Sequence, residues 1–527
     1  MSVRAKHQRR LRAQQAQPQA NGGSRNGYSW TNSDSLFPSP SDSNLRGWRP
    51  QLDRDVWKML PNARHRAMIS DSRYVFGGSG AVSGAVRKKA DYAIGWSWAP
   101  TYTGKNEAFR ASAQPLMDRW TRLCDMRGGV FDWRLGLRCA SIAMDRDGDC
   151  FAVKTITPEG SPRIQWLEGH RVGTPTSGFQ QVDVVPDRPE TKGYAGMTVL
   201  SGIIYDSFMR AVGYNVLPSG GEALGDDTEW NILPATAVES FHDPDWFSAS
   251  RGIPSIIRAI LDWYDIGETR EAEKIAVKAH SSLVMVEKNE TGRREIGREA
   301  IGSGGLPSAG RQSLQTQMYD KGLIRYIKSS GDISAHETNR PGEAWQNFMN
   351  EITRGAFLGM DLPIEFAWDS SKIGGAGIRA MVGQVQRAIE NRQAVMYKPA
   401  MATMLWAVSV YMRAGVIPFS LDWTEWEFSM PAKFSVDMGR DSQNRREDVS
   451  VGIRSYSEVL SEDGVDYREH VARRIADYTL AKSEADKAGV PLEFVINPAA
   501  TFGNTADTLV GQAVENAIQI NQEEAKK

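Results

Sequence analysis

Apolar residues fall at two periods along the chain, and the dominant period changes with position. From about 55 to 250, helical and strand-like stretches alternate. "AFRASAQPLMDRWTRLCDM" reads as an amphipathic helix. "DCFAVKTIT", "PRIQWLEGHRV" and "TVLSGIIYDSFMRAVGYNVL" are β-type runs separated by Pro and Gly turns. This pattern predicts an α+β domain with antiparallel strands. Beyond 254 helices dominate. Ile256, Ile257, Ile260, Leu261, Tyr264, Ile275 and Ala279 recur at helical spacing behind a first-turn proline, Pro254, with Gly267 as a place to bend. About 30 such residues would run ~45 Å at 1.5 Å per residue, longer than a compact core conceals. A turn-rich segment with Arg293, Arg294, Arg298 and Arg311 follows and ends in the strand-like "GLIRYI". "PGEAWQNFMNEITRGAFLGM" then sets Trp345, Phe348, Met349, Ile352 and Ala356 in one stripe. Glu343, Gln346, Asn347, Asn350, Glu351 and Arg354 form the other face. A third helix is predicted from about 377 to 413, with a kink at Pro399. Further on, Ser455 with Glu458 has capping-box spacing. Asp466 with Glu469 is an Asp-capped version, and "SEDGVD" turns the chain between them.

At 527 residues the chain can build two to four compact units. Its net charge of −1 excludes a globally basic nucleic-acid coat. No apolar run reaches the ~18 residues of a membrane span, and the N-terminus lacks the apolar region of a signal peptide. Cys124, Cys139 and Cys150 are odd in number and lack metal-ligand spacing, so they read as small hydrophobes of a reducing compartment. The first 35 residues contain Arg4, Lys6, Arg9, Arg10, Arg12 and Arg25, with no acid before Asp34. Such a segment cannot bury enough surface to fold alone. It reads as a solvated tail, or as a basic arm for nucleic acid or an acidic partner.

Two short motifs suggest chemistry. In "MDRDGDCF", Asp145, Asp147 and Asp149 alternate like the first ligands of a calcium loop. Position six is Cys150 and position twelve Ile156, where the loop needs Gly and Glu, so a hairpin turn between strands is the better reading. The same aspartates with Glu365 could form a glycosidase pair, with some of the 16 tryptophans as sugar platforms. The second motif is "WDSSKIGGAGIRA", residues 368–380. A P-loop places its Lys after the last Gly, but Lys372 precedes Gly374, Gly375 and Gly377. Gly375, Gly377 and Ala380 fit a loose dinucleotide fingerprint, yet no acid stands between Glu390 and Asp422 to hold a ribose.

Loose matches in a fixed order carry more information than either motif. "DGDCFAV", "IQWLEGHRVG", "GIIYDSFMRAVGYNV", "ESFHDPDWFSASRGIPSI", "RPGEAWQNFMNEITRGAFLGMDLPIEFAWDSSKIGGAGIRA" and "VDMGRDS…GIRSYSEVLSEDGVD" run through residues 60–480. In this the chain resembles a tailed-phage portal protein of the lambda-like class. Where that family has an aromatic-Ser-Ser-x-R pattern, this chain carries the longer "SSKIGGAGIR".

The resemblance implies the α+β portal fold: a twelve-subunit ring at one capsid vertex of the virion, assembled in the bacterial cytoplasm, with double-stranded DNA passing through its channel. It implies no catalytic residue, cofactor or metal. The implied partners are further copies of the chain, DNA read without sequence specificity, the terminase large subunit, the head–tail adaptor, and the major capsid and scaffold proteins; no membrane is involved. The implied organisation is a basic arm (1–54), a wing (55–255), a first stem helix (256–285), a clip (286–340) and a second stem helix (341–359). A tunnel loop (360–377), a wing helix with return strands (378–444), crown helices (445–490) and a tail (491–527) complete it. Ser370, Ser371, Lys372, Gly374 and Gly375 would then meet DNA. Arg293, Arg294, Arg298 and Arg311 would dock partners, and Trp345, Phe348, Met349 and Ile352 would pack the stem. Two other classes stand beside this one: a carbohydrate-active enzyme, and another capsid structural or scaffold protein.

Overall fold

In the computed structural model the described residues are 55–96, 98–177, 180–181, 183–217, 230–289, 316–319, 322–328, 332–334, 342–368, 374–431, 433, 438–462, 465, 467–489 and 492. The chain opens with helices α1 (Val56–Met59), α2 (Asn62–Gly78) and α3 (Gly80–Ile94). Strand β1 (Pro100–Tyr102) leads to α4 (Glu107–Leu123) and α5 (Trp133–Arg146). Side-chain caps start these helices: Asn106 accepts from the Phe109 amide at 3.1 Å, and Asp132 from the Leu135 amide at 2.6 Å.

Two antiparallel sheets follow, as the alternating runs predict. In the first, β2 (Asp149–Ile156) lies between β3 (Pro162–Glu168) and β10 (Val238–His242). The second is the meander β6 (Thr198–Leu200), β7 (Ile203–Tyr205), β8 (Ala211–Asn215) and β9 (Ile232–Pro234); β4 (Thr176–Ser177) and β5 (Gln180–Gln181) form a separate short pair.

Residues Ser255–Ala259 make a 3₁₀ turn that runs into α6 (Ile260–Ser282). That helix passes through Gly267 unbroken. The basic segment beyond it is not all loop. Its described parts are β11 (Leu283–Asn289), β12 (Thr316–Tyr319), β13 (Gly322–Lys328) and β14 (Asp332–Ser334), in one sheet of order β12-β13-β11-β14. Helices α7 (Glu343–Leu358), α8 (Ile364–Ala367) and α9 (Gly375–Arg413) follow. Strand β15 (Trp426–Phe428) closes back on β1. Helices α10 (Met438–Val451), α11 (Tyr456–Glu462) and α12 (Tyr467–Ala488) end the described chain. The Ser455–Glu458 capping box is present. The Ser455 amide donates to Glu458 Oε2 at 2.9 Å, and the Glu458 amide to Ser455 Oγ at 3.2 Å. Asp466 and Glu469 are not comparable, since Asp466 lies outside the described residues.

Helix α9 spans 39 residues and passes Pro399 as one continuous helix. Its first half lays Val385 and Ile389 into a core shared with α1, α2, α3, α6 and α7. Its second half lays Met396, Ala400, Met404, Ala407 and Val408 into another, with α4, α5, β2 and β3. Packing around the buried Pro399 carries the helix through the backbone bond that proline cannot make. The second core also takes Trp98, Trp120, Trp133 and Trp426, which accounts for part of the tryptophan content.

The joint between these cores is ionic. "DRDGD" is a helix-to-strand turn, not the expected hairpin between strands: α5 ends at Arg146 and β2 begins at Asp149. All three aspartates point inward and are buried. Asp145 accepts from Arg392 in mid-α9 at 2.7 Å, from Lys89 at 3.3 Å and from Ser255 at 2.9 Å. Asp147 accepts from Arg73 at 2.7 and 2.8 Å and from Arg146 at 2.6 and 2.9 Å. Asp149 accepts from Arg251 at 2.6 and 2.8 Å, and Arg251 also donates to the carbonyls of Gly169, Val172 and Ser201. Burial alone would raise these carboxyls. The cations beside them outweigh it and hold all three below the usual range. Gly148, at φ +92°, and Gly252 bring their backbones so close that a Cβ on either would overlap the other.

His65 seals this joint by contacting the Gly252 carbonyl through Nε2 at 3.0 Å. Burial, then the Arg251 charge, lower its pKa to about 4 from the ordinary 6.5. Between those values the unfolded chain binds a proton that the folded chain refuses, so stability falls as pH drops through this window. The span of two to three units corresponds to about 3 kcal/mol. Urea midpoints between pH 7 and pH 4 should therefore fall more steeply for the natural chain than for His65→Gln. Parallel curves would exclude this role of His65.

Candidate functional site

The segment from α7 to the start of α9 holds most of the described residues singled out by sequence. Helix α7 buries Met349, Thr353, Ala356 and Phe357, the last in edge contact with Trp263 at 5.1 Å between ring centres. Trp345 and Ile352 are half-buried against the same core. Phe348 departs from the predicted stripe: it is 56% exposed, as Leu358 is at 71%. The stripe as drawn is wider than the surface that α6 and the core offer it, so its edge faces out.

Beyond α7 the chain turns sharply. Asp361 takes φ +60° and accepts from Arg258 at 3.1 Å, whose other nitrogen donates to Asp245 at 2.6 Å. Lys89 donates to the Met360 carbonyl at 3.3 Å; Lys88 donates to the carbonyls of Phe366 and Ala367 at 3.3 and 3.2 Å. Arg354 pairs with Glu365 at 2.7 Å, and the Arg270 guanidinium lies over the Trp368 ring at 5.6 Å. These cations satisfy the carbonyls that a helix end leaves open and fix where the loop departs. Sequence reasoning missed Lys88, Lys89 and Arg258. A lysine pair on an otherwise apolar helix face was the available signal, but its partners lie some 270 residues away.

The glycine-rich stretch resumes at Gly374, which caps α9 with ordinary extended angles, φ −71° and ψ 162°. Gly374 and Gly375 do not use the left-handed conformation that would have explained them, and a Cβ on either would meet nothing within 4 Å. Neither the fold nor the backbone requires glycine there. Among the described residues no side chain caps α9, whose first residues are exposed. The dinucleotide reading fails on context too, because helix α8 precedes the motif where that fingerprint needs a strand. Ser370, Ser371 and Lys372 lie outside the described residues, as do Arg293, Arg294, Arg298 and Arg311.

The calcium and glycosidase candidates are structural. Asp145, Asp147 and Asp149 are each engaged by a guanidinium inside the protein, and Glu365 is engaged by Arg354. Cys124 and Cys150 are buried and Cys139 half-buried, all as free thiols. Among the described residues no helix is long and apolar enough to cross a membrane.

Residues 41–393 match the family described as phage portal protein, lambda family. The chain belongs to that family. The match covers the antiparallel sheets of β2–β10, both helices that flank the β11–β14 sheet, and the first half of α9; it stops short of β15 and α10–α12. A portal is a structural protein of the virion rather than an enzyme, so membership replaces the carbohydrate-enzyme reading. Solved structures similar to this portal protein include a chain of the virion of a native gene transfer agent particle, at 13% identity and TM-score 0.43. Others come from the neck of the empty particle computed with C6 symmetry (13%, 0.44) and the neck of the native particle computed with C12 symmetry (12%, 0.42). Each covers 76% of this chain and 94% of the other. No curated protein matches.

Gly355 lies on α7 between the exposed Phe348 and Leu358, and a Cβ there would again meet nothing within 4 Å. Inside one subunit this glycine only weakens the helix, so Gly355→Ala should stabilise dissociated subunits by about 0.5–1 kcal/mol. Thermal unfolding of dilute subunits tests this, and a lowered midpoint would reveal an internal constraint at that site.

Proposed function

We propose that this portal protein forms a closed ring, most simply of twelve subunits, at one vertex of the capsid, and that double-stranded DNA is packaged and ejected through its channel. The family match over residues 41–393 carries the reading. The outward Phe348 and Leu358 on α7 support it, because a neighbouring subunit gives them something to pack against. In this reading α6 and α7 are the stem, and the β11–β14 sheet belongs to a clip over 286–340. The clip docks first the terminase large subunit and then the head–tail adaptor, through Arg293, Arg294, Arg298 and Arg311. The crown is built from the helices over 445–490.

Residues 360–377 are the tunnel loop. The anchored stretch at Asp361 and Trp368 on one side and the exposed start of α9 on the other leave a short span between them. Glycines with no internal use suit a segment that something must approach from outside. Ser370 and Ser371 offer hydrogen bonds to phosphate and Lys372 one positive charge per subunit, contacts that carry no base sequence. The chain's net charge of −1 suits a channel that lets DNA slide, since a densely cationic wall would displace counterions and hold on.

Light scattering and negative-stain imaging of the purified chain should show closed rings. A strict monomer at micromolar concentration in moderate salt would overturn the reading. Lys372→Glu should leave ring assembly intact while impairing packaging or retention of DNA in a salt-dependent manner. Normal packaging and full-length retention by that variant would remove the loop from the DNA path.

A further inference from the structure

Where strand β10 ends, the chain exposes five residues in a row: Asp243, Pro244, Asp245, Trp246 and Phe247. Phe247 is fully exposed and Trp246 43% exposed. The loop is held on both sides of this pair. Asp245 accepts from Arg258 at 2.6 Å, and the Trp246 carbonyl accepts from the Ala249 amide at 3.1 Å. Ser248 Oγ accepts from the Val56 amide at 3.0 Å, and Ala249 packs against the core of α1, α2, α3, α6 and α7. A held backbone therefore presents two adjacent aromatic rings and two carboxylates outward. Neighbouring exposed rings of this size mark a contact surface.

The Val56–Ser248 bond also fixes where another segment arrives. Val56 opens α1 and is buried, so the chain ahead of it joins the fold one residue from Phe247. The nearest part of that chain is "LRGWRPQLDR", residues 45–54. It carries Arg46, Arg49 and Arg54 against Asp53 alone, with Leu45, Trp48, Pro50 and Leu52 among them. Cations and apolar groups thus alternate opposite a loop of acids and rings. The family match begins at residue 41 and so takes in this stretch. Trp48 precedes Val56 by eight residues, a reach of up to ~26 Å at ~3.3 Å per residue. A tether of that length keeps the segment beside the loop at an effective concentration on the order of mM, ahead of any free partner.

We infer that residues 45–50 fold back onto the Asp243–Phe247 loop of the same subunit. Trp48 packs against Trp246 and Phe247, in the offset or edge contacts that aromatic pairs prefer. Arg46 and Arg49 face Asp243 and Asp245, since a guanidinium can pair with a carboxylate and stack on a ring at once. Docking covers the rings and fixes the point from which the basic residues Arg4–Arg25 lead away. The contact lies within one subunit and does not depend on the ring reading.

Trypsin tests it in the full natural chain. Arg46 is the cut site within residues 45–50, because Arg49 stands before Pro50, and Arg25 serves as the undocked reference. Cleavage at Arg46 should be at least tenfold slower than at Arg25. Asp243→Lys with Phe247→Ser should bring the two rates together, while circular dichroism stays that of the natural chain because both side chains are exposed. Equal rates in the natural chain would overturn the inference, and so would protection that survives the double variant. Independently, Trp48→Cys with Phe247→Cys under mild oxidation should give a disulfide inside one chain, read on a non-reducing gel against the two single variants. Absence of that disulfide counts against the docking. A disulfide-linked dimer as the sole product overturns it as well, since the segment would then sit on a neighbouring copy.

Discussion

Three buried carboxylates in five residues hold this protein's helices to its sheets. Asp145, Asp147 and Asp149 sit where α5 gives way to β2, and each reaches a different part of the chain. The first binds Arg392 and Lys89, at the seam where α9 leaves one core for the other. The second binds Arg73 of α2. The third binds Arg251, just ahead of the 3₁₀ turn that feeds α6. Removing a charge from water is costly, and an unpaired partner left behind inside the protein costs several kcal/mol, roughly 3–5 for a broken buried pair. The arrangement is therefore cooperative: α2, α3, α6 and α9 meet β2 together or not at all.

That constraint explains the glycines that the fold does require. Gly148 must turn the chain at positive φ, and Gly252 must let its backbone pass within contact distance so that the Gly252 amide can also reach Asp149 at 3.2 Å. By contrast, Gly267, Gly355, Gly374, Gly375 and Gly383 stand in open space. One group serves the subunit. In the other group no neighbouring atom calls for glycine, and at the mid-helix positions Gly267, Gly355 and Gly383 it lowers helix propensity.

Charge is sorted the same way. The net charge of −1 hides a strong division between internal and external pairs. Inside, cations are matched to carboxylates and to open carbonyls, as Lys88 and Lys89 are at the ends of α7 and α8. Outside, acids and cations are interleaved in surface pairs such as Arg138 with Asp91 and Lys487 with Glu484.

The sequence by itself determined the class and most of the elements. Period-two runs became β2, β3 and β6–β8, since alternate residues of a strand face opposite sides wherever they fold. The helices α4, α6, α7 and α9, and the Ser455–Glu458 box, were legible because helix periodicity and capping are local. Ordered motif matches then pointed to the portal family. What sequence could not determine was where each local feature is used. "DRDGD" looked like a turn between strands because its cation partners stand from 1 to 247 residues away. Phe348 belonged to an apolar stripe by spacing, yet only packing decides how much of a stripe is covered. Neither Gly267 nor Pro399 ends its helix, and around the buried Pro399 the packed neighbours rather than local propensity keep the helix going. Local chemistry sets which elements form; the tertiary structure alone decides which of their faces are left for another molecule.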